Sequence, residues 1–117
     1  MSQRDEFLLD VFTTAIEGGT GYWLTIDEYH WADVGNEWFA VGDAVDDWGD
    51  GEKGLRIDRK VITRGIGRAY VDRFKFDEYQ FKAIVDLNWG KWDDLDYDAI
   101  TADIVVQYGL FGELVFG

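Results

Sequence analysis

The spacing of apolar residues changes twice along this chain, and each change predicts a different kind of secondary structure. From Phe7 to Ile16 the apolar residues recur every three or four positions, which is typical of an amphipathic helix. From Tyr22 to Val45 the spacing shortens to two, as expected for strands that bury one face. After Asp58 the spacing of three and four returns. The sequence therefore predicts one early helix, a sheet, and then further helices.

The boundaries of these elements follow from turn and capping residues. Glycine, asparagine and aspartate interrupt the strand pattern at residues 34–37 and 46–52, which predicts turns between antiparallel strands. Asp58 is suited to cap the helix that follows it, and Asp96 or Asp98 to cap the last helix. The predicted helices span residues 4–17, 58–70, 74–87 and from Asp96 or Asp98 to Tyr108, and the predicted strands span residues 21–31, 37–45 and 54–57.

The predicted fold class is α+β, with an N-terminal helix, a three-stranded antiparallel meander, and two or three helices packed on one face. The 117 residues are expected to form a single domain, residues 1–117, because this length leaves no room for two separate cores. No apolar run reaches the roughly 20 residues needed to cross a bilayer. The first residues also lack the pattern of a secretion signal. We therefore expect a cytoplasmic protein without a membrane partner.

The residue types that are missing exclude several classes of enzyme. There is no cysteine, which excludes disulfides, zinc–thiolate sites and thiol nucleophiles. Ser2 is the only serine, and its position at the terminus does not suit a catalytic triad. These absences favour a non-enzymatic protein with no cofactor.

The charge of the chain is strongly negative and unevenly distributed. The formal net charge is −13, from 24 acidic and 11 basic residues. Residues 1–52 contain thirteen acidic residues and one arginine, whereas residues 53–82 contain nine basic and four acidic residues. A net charge of this sign repels nucleic acid and anionic membranes, so we expect no direct binding to either.

The acidic first half predicts a protein-binding surface on the meander and on the loop at residues 46–52. Aromatic side chains surrounded by carboxylates are common at protein interfaces, although the tryptophans would equally suit the core of a small domain. The candidate residues are Asp27, Glu28, Trp31, Asp33, Trp38, Asp46, Asp47, Trp48 and Asp50. The partner would be a basic protein, and the surface could imitate nucleic acid. An open edge of the meander would also permit a homodimer.

The basic segment supports an alternative function, the binding of a small anion or a nucleotide. Lys60, Arg64 and Arg68 are four residues apart, so they project from one face of a helix. The glycine-rich turn at residues 18–21 could complete the site with Gly19, Thr20 and Tyr22. The turn is not a phosphate-binding loop by pattern, because no lysine follows it. The same basic residues could instead pair with acidic groups of the chain itself.

Two further patterns, the aspartate clusters and the single histidine, indicate a function less strongly. The aspartates at residues 94, 96 and 98, and those in residues 46–52, do not match the ligand spacing of a calcium loop, so no metal is expected. His30 lies beside Glu28 and Asp33 and could act with a carboxylate as an acid or base in a hydrolase. A lone histidine on an aromatic-rich strand is more commonly a packed side chain.

Three segments of the chain show a resemblance to a known group. They are residues 14–23 (TAIEGGTGYW), 61–68 (VITRGIGR) and 102–117 (ADIVVQYGLFGELVFG). In that order they resemble a group of small uncharacterised proteins encoded by actinobacteria, their phages and mobile elements. The resemblance implies a cytoplasmic accessory protein of phage origin, so the partner of the acidic surface would be a host or phage protein. It carries over no catalytic or binding residue.

Overall fold

The structure, a computed structural model, describes residues 3–30, 37–45, 52–91 and 96–116. The helices are α1 (Gln3–Thr14), α2 (Arg59–Val71), α3 (Glu78–Trp89) and α4 (Ala99–Phe111), and the strands are β1 (Leu24–His30), β2 (Phe39–Ala44) and β3 (Leu55–Asp58). The strands form one antiparallel sheet in the order β1-β2-β3. The predicted α+β fold is confirmed. No helix in the described ranges is long and apolar enough to cross a bilayer.

The first helix ends in a wider turn that brings the chain close to α4. The π-helical turn Ala15–Gly19 follows α1, and the N–H of Thr20 donates to the carbonyl of Ala15 at 2.9 Å. A Cβ at Gly19 would lie 2.6 Å from the carbonyl oxygen of Ala99. Glycine is therefore required at residue 19, because any other side chain would push this turn away from α4.

The sheet buries the face that carries the small and branched residues of β2 and β3. Burial alternates along β2, where Ala40 and Ala44 are buried. The register between β1 and β2 shifts at Asp27, which is the extra residue of a bulge between Ile26 and Glu28. The buried face packs against α1 and α2 in a core that includes Leu8, Val11, Phe12, Trp23, Leu24, Trp38, Ile57, Ile62 and Val105.

Each later helix begins at an aspartate, and two end at a glycine. The side chains of Asp58, Asp77 and Asp98 accept hydrogen bonds from backbone N–H groups in the first turns of α2, α3 and α4. Gly90 and Gly112 close α3 and α4 with φ angles of 71° and 78°. The choice between Asp96 and Asp98 is thereby resolved in favour of Asp98. The predicted helix at residues 74–87 begins later, because a 3-10 turn (Arg73–Lys75) precedes Asp77.

The last helix occupies the centre of the molecule. Nine consecutive residues of α4, Thr101 to Gly109, are buried, so the helix is covered on all sides. It crosses α2 closely, since a Cβ at Gly65 would lie 1.9 Å from the carbonyl oxygen of Val105. Residues 112–116, which follow α4, form neither helix nor strand. The Phe116 ring stacks on Trp23 at 4.8 Å, covering the indole.

Candidate protein-binding surface

The structure divides the residues expected on the acidic meander into three groups. Asp27 and Glu28 are exposed on β1, at the open edge of the sheet. Trp38 is 6% exposed, and its ring lies 4.5 Å from Phe12. The prediction that Trp38 contributes to a binding surface is therefore wrong, because this side chain fills the core. Trp31, Asp33, Asp46, Asp47, Trp48 and Asp50 lie outside the described residues.

His30 lies on the face of the sheet that does not carry the core. Its Nε2 is 3.0 Å from a carboxylate oxygen of Glu28, and its ring stacks on Phe39 at 4.3 Å. The guanidinium of Arg56 covers Phe39 at 4.0 Å. About half of the His30 side chain is exposed. The His30 ring is thus part of a stack on the protein surface, together with Phe39 and Arg56. Asp33, the other carboxylate expected beside His30, lies outside the described residues.

The turn proposed for anion binding leads instead to a buried carboxylate. Asp103 of α4 is 5% exposed and accepts hydrogen bonds from the Tyr22 hydroxyl at 2.5 Å and the Trp23 indole N–H at 2.7 Å. Burial and the hydrogen bond to Asp103 raise the pKa of Tyr22 to about 12. Thr20 is buried, and its hydroxyl donates to the carbonyl of Ala15. A carboxylate at this position repels an anion, so the turn does not suit phosphate.

Gln107 connects Asp103 to the C-terminal residues. Its amide nitrogen donates to both carboxylate oxygens of Asp103 at 3.2 Å, and to the carbonyl of Phe116 at 3.1 Å. Its amide oxygen accepts from the backbone N–H groups of Val115 and Phe116 at 2.9 Å. The hydrogen bonds of this buried amide therefore hold residues 115–116 in place, with the Phe116 ring over Trp23.

The two arginines of the predicted basic stripe bind carbonyl groups of the chain. The Arg64 Nε donates to the carbonyl of Gly109 at 2.8 Å, and an Arg68 Nη1 donates to the carbonyl of Tyr108 at 3.2 Å. The last carbonyls of a helix lack partners within the helix and carry partial negative charge. Both arginines thus stabilise the C-terminal end of α4. Lys60, the third residue of the stripe, is exposed.

The structure does not bring the two halves of the proposed anion site together. Residues two apart in a helix point in nearly opposite directions, whereas residues four apart share a face. Asp103 and Gln107 face the turn with Tyr22, while Gly109 faces α2. α4 therefore separates the Arg64 side from the turn. The combined anion site of Lys60, Arg64 and Arg68 with Gly19, Thr20 and Tyr22 is incorrect.

The acidic residues described near the last helix have structural partners. Asp98 caps α4, and Asp96 accepts a hydrogen bond from the Tyr79 hydroxyl at 3.3 Å. Burial raises the pKa of Asp98, but hydrogen bonds from Thr101 and Gln80 outweigh burial and lower it. Among the described residues, no group of three or more histidine and carboxylate side chains is arranged to hold a metal.

A connected row of aromatic residues, two of them exposed and the others half-buried, runs along α2, the 3-10 turn and α3. The Trp89 ring contacts Tyr70 edge-on at 5.9 Å, and the Arg73 guanidinium covers Tyr70 at 4.1 Å. The same guanidinium covers Phe74 at 4.6 Å, and Phe74 contacts Phe81 at 5.4 Å. Phe74 and Trp89 are 77% and 63% exposed. We call these five residues, Tyr70, Arg73, Phe74, Phe81 and Trp89, the aromatic strip.

A cavity of about 270 Å³ adjoins the aromatic strip at Trp89. Its apolar lining comes from α1, α2 and α3, and polar groups of Arg4, Thr63 and Asn88 also line it. A cavity next to exposed aromatic residues can accept a side chain of a bound partner. The apolar residues that line it are Phe7, Leu8, Ile66, Leu87 and Trp89.

Sequence reasoning missed the aromatic strip because Tyr70 was predicted to lie in one helix, Phe74 and Phe81 in the next, and Trp89 after its end. The sequence did contain a signal that Phe74 could be exposed. Phe74 precedes Asp77, which caps α3, so it belongs to neither flanking helix. Phe81 and Trp89, with Val85 between them, recur every four residues and define a second apolar face on α3. The face of α3 that packs inward carries Ala83, Ile84 and Leu87.

These features define the class of the molecule, an α+β domain whose last helix packs against the other three helices beside a three-stranded antiparallel sheet. Comparisons with protein-family models, with curated proteins and with solved structures gave no match. The function is therefore inferred from the chain's own residues.

Proposed function

We propose that this chain is a non-enzymatic protein-binding domain and that the aromatic strip is its contact surface. The observation that carries this proposal is the exposure of Phe74 and Trp89, which are connected in one row with the half-buried Tyr70, Arg73 and Phe81. Contiguous exposed apolar groups are unusual on a folded domain and mark sites of interaction. Aromatic residues and arginine are the types enriched at the centres of interfaces.

The strip is also ordered before a partner arrives. The Arg73 guanidinium lies between the Tyr70 and Phe74 rings, and one of its N–H groups donates to the carbonyl of Tyr70 at 2.9 Å. A side chain held in this way loses little conformational entropy on binding. The remaining N–H groups of the guanidinium can donate to a partner. The strip therefore combines apolar area with a preorganised polar centre.

The proposal is tested by photo-crosslinking inside an actinobacterial host, the source suggested by the resemblance of the three segments. A photoreactive phenylalanine analogue replaces Phe74, which is 77% exposed, so that the fold is retained. We expect a discrete adduct with a host protein that disappears when Trp89→Ala is added. The matched control carries the analogue at Ile100, which is 62% exposed on α4. Equal adducts at Phe74 and Ile100 would remove the aromatic strip from the proposal.

A second candidate contact is the acidic edge of the meander, favoured by the exposure of Asp27 and Glu28 on an open edge strand. In this proposal a phage-encoded domain engages or inhibits a basic host protein, in part by imitating nucleic acid. The double variant Asp27→Lys with Glu28→Lys should lose a basic partner that the unaltered protein recovers from host lysate. Glu6→Lys with Glu113→Lys, at two other exposed carboxylates, is the charge-matched control. Recovery that is unchanged by both pairs would eliminate this edge.

A further inference from the structure

The aromatic strip is short enough for a single bound helix to cover its whole length. Its four successive contacts, from Trp89 through Tyr70, Arg73 and Phe74 to Phe81, each measure between 4.1 and 5.9 Å. The strip is therefore at most roughly four helical turns long, since one turn rises about 5.4 Å. A bound helix would meet it with apolar side chains at positions i, i+4, i+7 and i+8.

The unpaired cations at the strip favour a partner that carries carboxylates. Residues 70–89, which contain the whole strip, carry three basic and four acidic residues, and Lys75 forms an ion pair with Asp72. Arg73 lies at the centre of the strip with N–H groups to spare, and the next residue after Phe81 is Lys82, which is exposed. In the ranges that the structure describes, neither Arg73 nor Lys82 has a carboxylate within ion-pair distance.

The cavity beside Trp89 supplies a position for an anchoring side chain. Ile66 and Leu87 are among its apolar lining residues, and Arg4 is among its polar ones. One large apolar side chain of a partner can enter such a cavity, while a neighbouring carboxylate meets the guanidinium of Arg4. Cations therefore occur both beside the cavity and at the centre of the strip.

We infer that the aromatic strip and the adjoining cavity bind an acidic amphipathic helix of a partner protein. This inference rests on the proposed function, and it adds the partner's chemistry. Apolar residues on one face of the bound helix cover the rings and fill the cavity. Carboxylates beside that face pair with Arg73, Lys82 and Arg4. The acidic edge of β1 lies on a different element and takes no part.

The probe for this inference is a displayed library of 18-residue helical peptides with randomised surface positions, selected on the whole protein. We expect the enriched peptides to be net acidic with apolar residues four apart. A fluorescein-labelled enriched peptide should bind at least about tenfold more weakly to Arg73→Gln and to Phe74→Ala, losses of the size seen at interface hot spots. Ile100→Ala, an exposed change on α4, is the control and should bind normally. Circular dichroism checks that each variant is folded.

The outcomes separate this inference from the proposed function. Enriched peptides that are basic or uncharged would overturn the inference, while a crosslink at Phe74 would still support protein binding. The loss of both enrichment and crosslink would overturn the two together. A dimer in analytical ultracentrifugation that Phe74→Ala disperses would assign the strip to a second copy of this chain, and it would also overturn the inference.

Discussion

At the scale of single residues, Asp103 connects the residues just before β1 to the centre of α4. Its carboxylate receives hydrogen bonds from the Tyr22 hydroxyl, the Trp23 indole and the Gln107 amide, and these donors are uncharged. A buried carboxylate is costly to desolvate unless several donors satisfy it. The cluster therefore fixes the relative position of β1, α4 and the C-terminal residues.

We predict that Asp103→Ala destabilises the protein by about 1–3 kcal/mol, because it leaves the buried Trp23 indole N–H without its acceptor. Asp103→Asn keeps one acceptor for the Trp23 indole and should cost less. Urea unfolding followed by circular dichroism measures both values. Equal losses for the two variants would mean that removal of the negative charge, and not the unpaired donor, determines the cost.

Alkaline pH should weaken the fold through buried phenols. Burial and the hydrogen bond to Asp72 raise the pKa of Tyr108 to about 12 from the ordinary value of 10.0. A raised pKa means that the folded state holds the proton more tightly, so this stabilisation is complete below pH 10 and is lost as the pH rises towards 12.

The variant Tyr108→Phe tests that dependence. Its free energy of unfolding should be lower than that of the unaltered protein at pH 8, and the difference should shrink steadily between about pH 10 and 12. Urea unfolding at a series of pH values gives the comparison. A difference that stays constant across the series would show that proton binding by Tyr108 is not linked to folding.

At the scale of elements, the crossing of α2 and α4 depends on a glycine from each helix. Gly65 faces the carbonyl of Val105, and a Cβ at Gly109 would lie 2.2 Å from the carbonyl of Val61. Heavy atoms do not approach so closely, so the two helices can meet only without side chains at these positions. Gly67 lies on the same helix as Gly65 with open space around it.

We predict that Gly65→Ala destabilises the fold by about 3 kcal/mol or more, because the helices must separate. Gly67→Ala is the matched control on the same helix. It should stabilise the protein by about 0.5–1 kcal/mol, since alanine favours the helical backbone more than glycine does. Chemical denaturation of both variants measures these values. The prediction fails if the two substitutions shift the midpoint in the same direction.

The arginines of α2 should stabilise the end of α4. We predict that Arg64→Ala lowers the free energy of unfolding by about 0.5–1 kcal/mol, the usual contribution of a cation at a helix C-terminus. Lys60→Ala, on the same face of α2, should change it by less than about 0.5 kcal/mol. Thermal unfolding of the two variants gives the comparison. A loss at Lys60 as large as that at Arg64 would indicate a general charge effect.

The sequence predicted those features whose cause is local. Asp58 and Asp98 lie immediately before helical apolar patterns, and Gly90 follows one, so each boundary depends on residues within one turn. Trp38 and Arg64 were misjudged because tertiary packing determines their environment. A tryptophan on a strand can face either side of the sheet, and an arginine can pair with a carbonyl from any nearby element.

At the scale of the whole molecule, repulsion among the excess negative charges destabilises the compact folded state. A net charge of −13 on 117 residues produces repulsion that the unfolded chain relieves by expanding. Dissolved salt screens such repulsion over about 8–10 Å at 0.1–0.15 M ionic strength.

We predict that the melting temperature rises when the ionic strength increases from about 10 mM to about 150 mM, because screening reduces the repulsion. The variant Asp27→Asn with Glu28→Gln has two fewer charges and should gain less from salt. Differential scanning calorimetry in sodium chloride measures both. A melting temperature that falls with salt would show that attractive ion pairs outweigh the repulsion.

The central position of α4 has a consequence for the order in which this domain can be made. During synthesis a ribosome releases α1, the sheet, α2 and α3 before α4, yet the buried surfaces of α1 and α2 both contact that last helix. The interior that α1 and α2 share with α4 is therefore complete only after residues 99–111 have emerged, and the helices made earlier keep that part of their apolar surface uncovered until then.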